Sequence, residues 1–295
     1  MRKIILTFRQ GLSPTMASYI HLMRLHKPIG FFLLLWPTLW AVWIAGCGHP
    51  KPKIVFIFII GVLLMRSAGC VINDFADRHI DTHVARTKDR PLATKKITPQ
   101  AALILFALLC LGAFLLVLQL NTLTLLLSIP AVALAAVYPF MKRITHLPQL
   151  VLGVAFAWGI PMAFAAQNGR VAHAAWVLMA ATIFWTMAYD TEYAMVDYKD
   201  DLKIGVKSTA ILWGRWDRGM IGVLQILTLT CLILINYFVT LGLYYQLAIF
   251  ISALLMLYQQ TLIRHRIPKL CFNAFLNNHW IGLCLFLGII FTEIK

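Results

Sequence analysis

Apolar runs of roughly 20 residues recur along the whole chain, the length an α-helix needs to cross a bilayer. Short polar segments separate them. Nine such runs are predicted as spans, at 29–46, 54–72, 101–120, 122–140, 147–166, 172–196, 219–238, 241–258 and 275–292. None alternates with a period of two, which excludes a transmembrane β-barrel. The pattern predicts an all-α, polytopic membrane protein. It reads as a single domain over residues 1–295, with residues 1–28 as an N-terminal cytoplasmic or interfacial segment. Within that segment, residues 15–27 (TMASYIHLMRLHK) have the make-up of an amphipathic helix lying in the interface. Pro130 and Pro161 fall inside the fourth and fifth spans, where neighbouring helices satisfy the carbonyls they free.

Composition agrees. Of the 295 residues, 61% are hydrophobic, and the mean hydropathy is +0.80. A soluble domain is less apolar. The bases then orient the spans. With the N-terminus inside, 21 of the 26 Lys and Arg residues fall on one set of loops. Only Lys51, Lys53, Arg170 and Lys295 fall on the other, and Arg66 lies near the inner end of the second span. The positive-inside rule places the N-terminus and the large loops in the cytoplasm and the C-terminus on the far side. The net charge of +15 therefore needs no nucleic acid; topology and anionic lipid head groups account for it. The six cysteines are scattered, with neither metal-type spacing nor a disulfide framework. The start, MRKIILTFRQG, has too short an apolar core for a cleaved signal.

Against this background the acids are conspicuous. Ten of the eleven sit in two groups. Asp74, Asp77, Asp81 and Asp89 follow the second span. Asp190, Glu192, Asp197, Asp200, Asp201 and Asp217 lie at and beyond the end of the sixth. Both groups face the cytoplasm in the topology above. Asp74, Asp77 and Asp81 have the i, i+3, i+7 spacing of one helix face, as do Asp190, Asp197 and Asp201 at i, i+7, i+11. Like charges so placed destabilise a helix unless something compensates them. Mg²⁺ would do so, because it takes oxygen ligands and is shared between one or two carboxylates and substrate phosphates. Interleaved bases suit the remaining phosphate charge. Metal plus diphosphate at a membrane surface is the reading.

At these residues the chain resembles a known family. NDFADRHID (73–81) is similar to the first Asp-rich motif, and DYKDD (197–201) to the second, of the UbiA superfamily of membrane-embedded aromatic prenyltransferases. RLHKPIGFFLLLWPTLWA (24–41), RTKDRPLATKKIT (86–98), YPFMKR (138–143) and YDTEYAMVDYKDDLKIGVKSTAILWG (189–214) resemble one branch of it, the bacterial 4-hydroxybenzoate polyprenyltransferases of ubiquinone synthesis. The resemblance implies nine helices around a central cavity in the bacterial inner membrane, with the active-site loops cytoplasmic. It implies Mg²⁺ as cofactor. It also implies transfer of a polyprenyl group from its diphosphate to the 4-hydroxybenzoate carbon ortho to the hydroxyl.

By the same resemblance, Asp74, Asp77 and Asp81 carry Mg²⁺ on one side with Asn73 beside them, and Asp197 and Asp201 carry it on the other. Lys142, Arg66, Arg78, Lys88 and Lys203 are candidate diphosphate partners, with Tyr138 one turn before Lys142. Asp190, two helical turns deeper than Asp197, is the candidate for polarising the acceptor's phenol. Arg24 is the guanidinium suggested for the acceptor's carboxylate. Tyr138, Trp158, Phe164, Trp185 and Tyr189 lie in spans suited to shielding a cation-like allylic fragment. His79 and His83 read as surface residues.

Two rival classes fit less well. An ion-coupled transporter needs charge near the midplane, yet the last three spans carry no acid before Glu293. A phosphatidyl-transferring enzyme of the CDP-alcohol type needs an Asp-Gly start and a long spacer that NDFADRHID lacks. Within the family, a naphthoate, homogentisate or haem acceptor is the alternative.

Overall fold

Proline opens five of the helices, where its missing N–H costs nothing, and Ser13, Thr98, Asn121 and Ser208 cap four starts with side-chain oxygens. The computed structural model describes residues 13–83 and 86–294. The expectations for Arg2, Lys3, Arg9 and Lys295, and for the side chain of His83, lie outside what it describes.

The helices are α1 (Pro14–Leu22), α2 (Ile29–Ala45), α3 (Pro52–Asp77), α4 (Pro99–Val117), α5 (Thr122–Ile144), α6 (Pro148–Ala157), α7 (Gly159–Asn168), α8 (His173–Ile204), α9 (Thr209–Trp213), α10 (Asp217–Leu234), α11 (Leu243–Leu262) and α12 (Pro268–Ile290). The described residues contain no strand beyond one isolated bridge between Leu241 and Ile294. Each predicted span falls on a helix. The fifth is broken at Trp158 into α6 and α7, because Pro161 cannot donate to the carbonyl of Ala157 one turn earlier. The sixth continues unbroken to Ile204, two turns past its predicted end. By length and composition, seven helical stretches can cross a membrane. The other two are α2, which is only 17 residues long, and α8, which carries the second acidic group.

The large core lies between α2, α7, α8 and α12, with Trp40, Trp185 and Tyr245 fully buried. Two polar ties cross it. Trp185 Nε1 donates to Asn278 Oδ1 at 2.8 Å, and Asn278 Nδ2 donates to Glu192 at 3.0 Å, so α8 is fastened to α12. Gln225, Gln259, Gln260 and Asn277 form a hydrogen-bonded chain through α10, α11 and α12. Such ties suit a medium in which helix association has no hydrophobic drive. By contrast α4 and α5 bury few side chains and expose Ile104, Leu108, Leu126 and Ile129, as a lipid-facing surface does.

Two local expectations are corrected. The first acidic face is not one helix. α3 ends at Asp77, and Asp81 opens a separate 3₁₀ turn. Asp81 is held there because Thr87 Oγ1 donates to its carbonyl and Arg90 to its carboxylate. The N-terminal helix stops at Leu22, short of residue 27, and Leu22 is buried against Val71, Leu92, Ile97 and Ala102. It is packed on the ends of α3 and α4.

Candidate active site

The two acidic groups meet. α3 and α8 deliver them to a polar chamber of about 170 Å³ lined by Asp77, Asp81, Asp197, Asp201, Lys142 and Gln149. Below it lies a cavity of about 690 Å³, largely apolar, walled by α2 to α7 and by Phe272 and Phe275 of α12. Asn73, Arg86, Arg90, Tyr138, Asp190 and Tyr193 line both and form the neck between them.

Every acid of the first group except Asp89 is buried and paired. Asp74 accepts from Arg24 at 2.8 Å and faces Arg90 at 3.0 Å. Arg90 also donates to both oxygens of Asp81, at 3.0 and 2.9 Å. Lys142, from α5, is bonded to Asp77 Oδ2. Across the chamber, Arg86 Nε donates to Asp197 at 3.0 and 3.1 Å, and its guanidinium lies 4.8 Å from the Tyr193 ring centroid. Asp201, one turn past Asp197 and beyond the predicted span, has no ion pair among the described residues. Burial, with the nearby charge of Asp197 adding to it, pushes its carboxyl up to about 7.

Five buried side-chain oxygens lack a partner among the described residues: Oδ2 of Asp74 and Oδ1 of Asp77 here, and Oε1 of Glu192 and the hydroxyls of Thr186 and Tyr189 on α8. A buried carboxylate oxygen with no donor is costly, and a bound ion or water accounts for the two that belong to the acidic group. Among the described residues no group of three His, Cys, Asp or Glu side chains closes on a metal by itself. The acids that line the chamber come without His or Cys, an all-oxygen set that suits Mg²⁺, which completes its shell with water and phosphate oxygens, better than zinc. The donor set fits Mg²⁺.

Such an arrangement can hold a diphosphate at the mouth and a long apolar tail below. The comparisons agree. The profile of the UbiA prenyltransferase family matches residues 34–286. The chain belongs to that family. It is 60% identical over 272 residues to the 4-hydroxybenzoate octaprenyltransferase of Hahella chejuensis, covering 92% of this chain and 91% of that one. It is 55% identical over 283 residues to the enzyme of the same name from Coxiella burnetii, covering 96% and 99%. Among solved structures, a UbiA homolog from Aeropyrum pernix superposes with a TM-score of 0.78 at 23% identity, over 88% of this chain and 96% of that one. A UbiA homolog from Archaeoglobus fulgidus, solved with GPP and Mg²⁺, superposes with a TM-score of 0.73 at 16% identity, over 92% and 99%. At those identities the structures establish the shared fold alone.

As a UbiA-family site, the arrangement gathers most of the expected residues and rejects a few. Lys88 and Lys203 are exposed and line neither chamber; Lys203 faces Asp200 at 3.7 Å on the outer surface. Arg78 also stays outside, donating to the Phe75 carbonyl at 2.7 Å and lying over the Phe75 ring. Arg66 lines the larger cavity, not the mouth. Phe164 and Trp185 turn into the core, whereas Tyr138, Trp158 and Tyr189 line the cavity as expected. Arg86, Arg90 and Gln149 were not foreseen as site residues. Gln149 accepts from the Thr209 N–H at 3.0 Å, and its amide lies beside Asp190. The signal for the arginines was present in RTKDRP, whose three bases sit in the loop between the acidic motif and α4.

Proposed function

We propose that the protein transfers a polyprenyl group from polyprenyl diphosphate to the 4-hydroxybenzoate ring carbon ortho to the hydroxyl, with Mg²⁺, as in ubiquinone biosynthesis. The supporting observation is the polar chamber, where both acidic groups meet and Oδ1 of Asp77 is unpartnered, opening through Asp190 and Tyr138 into an apolar cavity. The names of its relatives, at 55–60% identity over nearly the whole chain, point to the same acceptor. Purified protein with Mg²⁺, a polyprenyl diphosphate and a panel of aromatic acids tests it. Prenylated 4-hydroxybenzoate is the expected product; faster turnover of a naphthoate or homogentisate would replace this acceptor with the alternative.

In this reading the diphosphate sits in the small chamber. Asp77, Asp81, Asp197 and Asp201 would hold Mg²⁺, with Asn73 at the neck and Asp74 on the side of the larger cavity. Bound there, the ion neutralises charge that grows on the departing diphosphate, as a metal does in displacement chemistry generally. Lys142 and Arg86 add fixed positive charge at the same end, where it acts most in the transition state. As the C–O bond breaks, the allylic carbon becomes cation-like, and the apolar cavity keeps water from it. Tyr138, Tyr189 and Tyr193 present ring faces or edges near the neck, replacing Phe164 and Trp185 in the shielding role. Asp190 accepts the phenol's hydrogen bond, the ortho carbon attacks, and the ring proton passes to the released diphosphate, which restores aromaticity. Arg24 is committed to Asp74, so the acceptor's carboxylate falls to Arg66.

The proton and the metal compete for Asp201. Its carboxyl titrates near 7, above the usual carboxylate range, so below that pH it is protonated and lost as a ligand. The Mg²⁺ concentration for half-maximal rate is expected to fall as pH rises from about 6 to 8, and Asp201→Asn should flatten that dependence.

The proposed topology is a single domain of nine crossings in a bacterial inner membrane, counting α2 and α8, with the Asp chamber on the cytoplasmic side. The asymmetry of the loop bases supports it. A reporter fused after Lys295 is expected to read periplasmic, and one inserted near Lys96 cytoplasmic. Same-side readings would require an even number of crossings.

A further inference from the structure

Arg66 lies seven residues before Asn73 on α3, about 10 Å deeper at about 1.5 Å per residue. Asp190 stands the same seven residues before Asp197 on α8, so the two occupy one depth below the mouth, and both line the larger cavity. Arg66 forms no hydrogen bond or ion pair with any described residue. Its Cζ lies 5.7 Å from the centroid of the Phe156 ring. The guanidinium also lies close against Gly30. A Cβ built on Gly30 would stand 2.1 Å from a terminal nitrogen of Arg66 and 2.5 Å from Nε and Cζ. A side chain there would have to displace the guanidinium.

Gly30 is the second residue of α2. Helix formation does not favour it, since Gly in a helix is less stable than Ala. A guanidinium within a membrane cavity is likewise expensive, and Asp190, the acid at its depth, attracts it without closing an ion pair. The two unfavourable choices explain each other if the pair forms a slot for a ligand.

We propose that Gly30 is a specificity-determining position: its missing side chain leaves the slot in which Arg66 lies flat against α2, aimed at the carboxylate of an aromatic acid whose phenol meets Asp190. Gly30 acts through Arg66 and is a positioning residue. The inference rests on the assignment of Arg66 to the acceptor. A planar guanidinium seated beside the Phe156 ring and Gly30 presents a fork that can grip a carboxylate through two parallel hydrogen bonds.

Calorimetric titration separates this from the proposed reaction, because it reads binding without turnover. Wild-type protein is titrated with 4-hydroxybenzoate and with its neutral isostere 4-hydroxybenzamide, then Gly30→Ala, Arg66→Ala and the double variant likewise. Wild type is expected to prefer the carboxylate. Gly30→Ala should weaken 4-hydroxybenzoate by on the order of tenfold to a hundredfold, the worth of a charged hydrogen bond, and leave the amide unchanged. In the Arg66→Ala background Gly30→Ala should add nothing, because the clash is gone. Equal loss of both ligands, a further loss in the double variant, or no carboxylate preference in wild type would overturn the proposal. If Gly30→Ala is too unstable to purify while the double variant is stable, the collision is itself demonstrated, and the ligand preference of Arg66→Ala alone decides. Carboxylate binding without prenyl transfer would overturn the proposed reaction and leave this inference standing.

Discussion

Asp77→Ala is expected to abolish prenyl transfer, a loss of at least about 1000-fold, while leaving the helical fold intact. Asp77 is the last residue of α3 and is 2% exposed. An acid at a helix C-terminus opposes the helix dipole, and Asp74 one turn earlier repeats the offence. Nothing in the stability of α3 therefore calls for this carboxylate. One of its oxygens is bonded to Lys142 and the other has no partner. Removing it would delete a proposed metal ligand and free Lys142, whose amine reaches the chamber and can be solvated there. Purified variants are assayed for prenylated product at limiting and saturating Mg²⁺, with thermal midpoint and elution volume as fold controls. Near-normal turnover at limiting Mg²⁺ would sink the assignment. Asp200→Ala is the matched control. Asp200 lies between Asp197 and Asp201 in sequence, but it pairs outward with Lys203 and lines neither chamber, so that variant should behave as wild type.

That contrast also marks how much of the site was readable beforehand. Apolar run length located a helix for every predicted span, because it depends only on composition and bilayer thickness; seven of these stretches are long and apolar enough to cross a membrane. Helical spacing placed Asp190, Asp197 and Asp201 on one side of α8, which stays helical through all three. The same arithmetic failed for Asp81. Where a helix stops is decided by tertiary contacts, here Arg90 and Thr87 holding the following turn, and spacing alone cannot see them. Arg24 was given to a substrate because nothing in sequence shows that Asp74, fifty residues away, takes it first. Two of the five aromatic assignments, Phe164 and Trp185, failed similarly. α8 is apolar around much of its circumference, so no polar stripe told Trp185, which turns to the core, from Tyr189 and Tyr193, which line the cavity. The buried Glu192–Asn278 contact joins residues 86 positions apart and left no local trace.

Asp190→Asn is expected to keep the affinity for polyprenyl diphosphate and to lose prenyl transfer by on the order of 100- to 1000-fold. Asp190 lies at the neck and lines both chambers, two turns below Asp197 and beside Gln149. An ionised carboxylate at that depth is expensive unless it is used or paired, and no ion pair holds it among the described residues. If it accepts the phenol's hydrogen bond, the contact strengthens as electron density moves from the oxygen into the attacking ring. Such an interaction belongs to the transition state, so its removal should lower kcat and kcat/KM together. Asn keeps the shape and the hydrogen-bonding oxygen while removing the charge, which isolates the electrostatic part. The metal set predicts a different signature. A ligand of Mg²⁺ or diphosphate, once neutralised, should raise the donor's KM and shift the Mg²⁺ requirement. Steady-state kinetics with donor, acceptor and Mg²⁺ varied in turn therefore separate the two roles. Normal kcat with weakened donor binding would move Asp190 into the metal set. A fall in kcat with donor KM and Mg²⁺ dependence unchanged places the acceptor's oxygen against it, at the one depth where α8 offers a carboxylate below the mouth and α3 offers the guanidinium of Arg66 to match it.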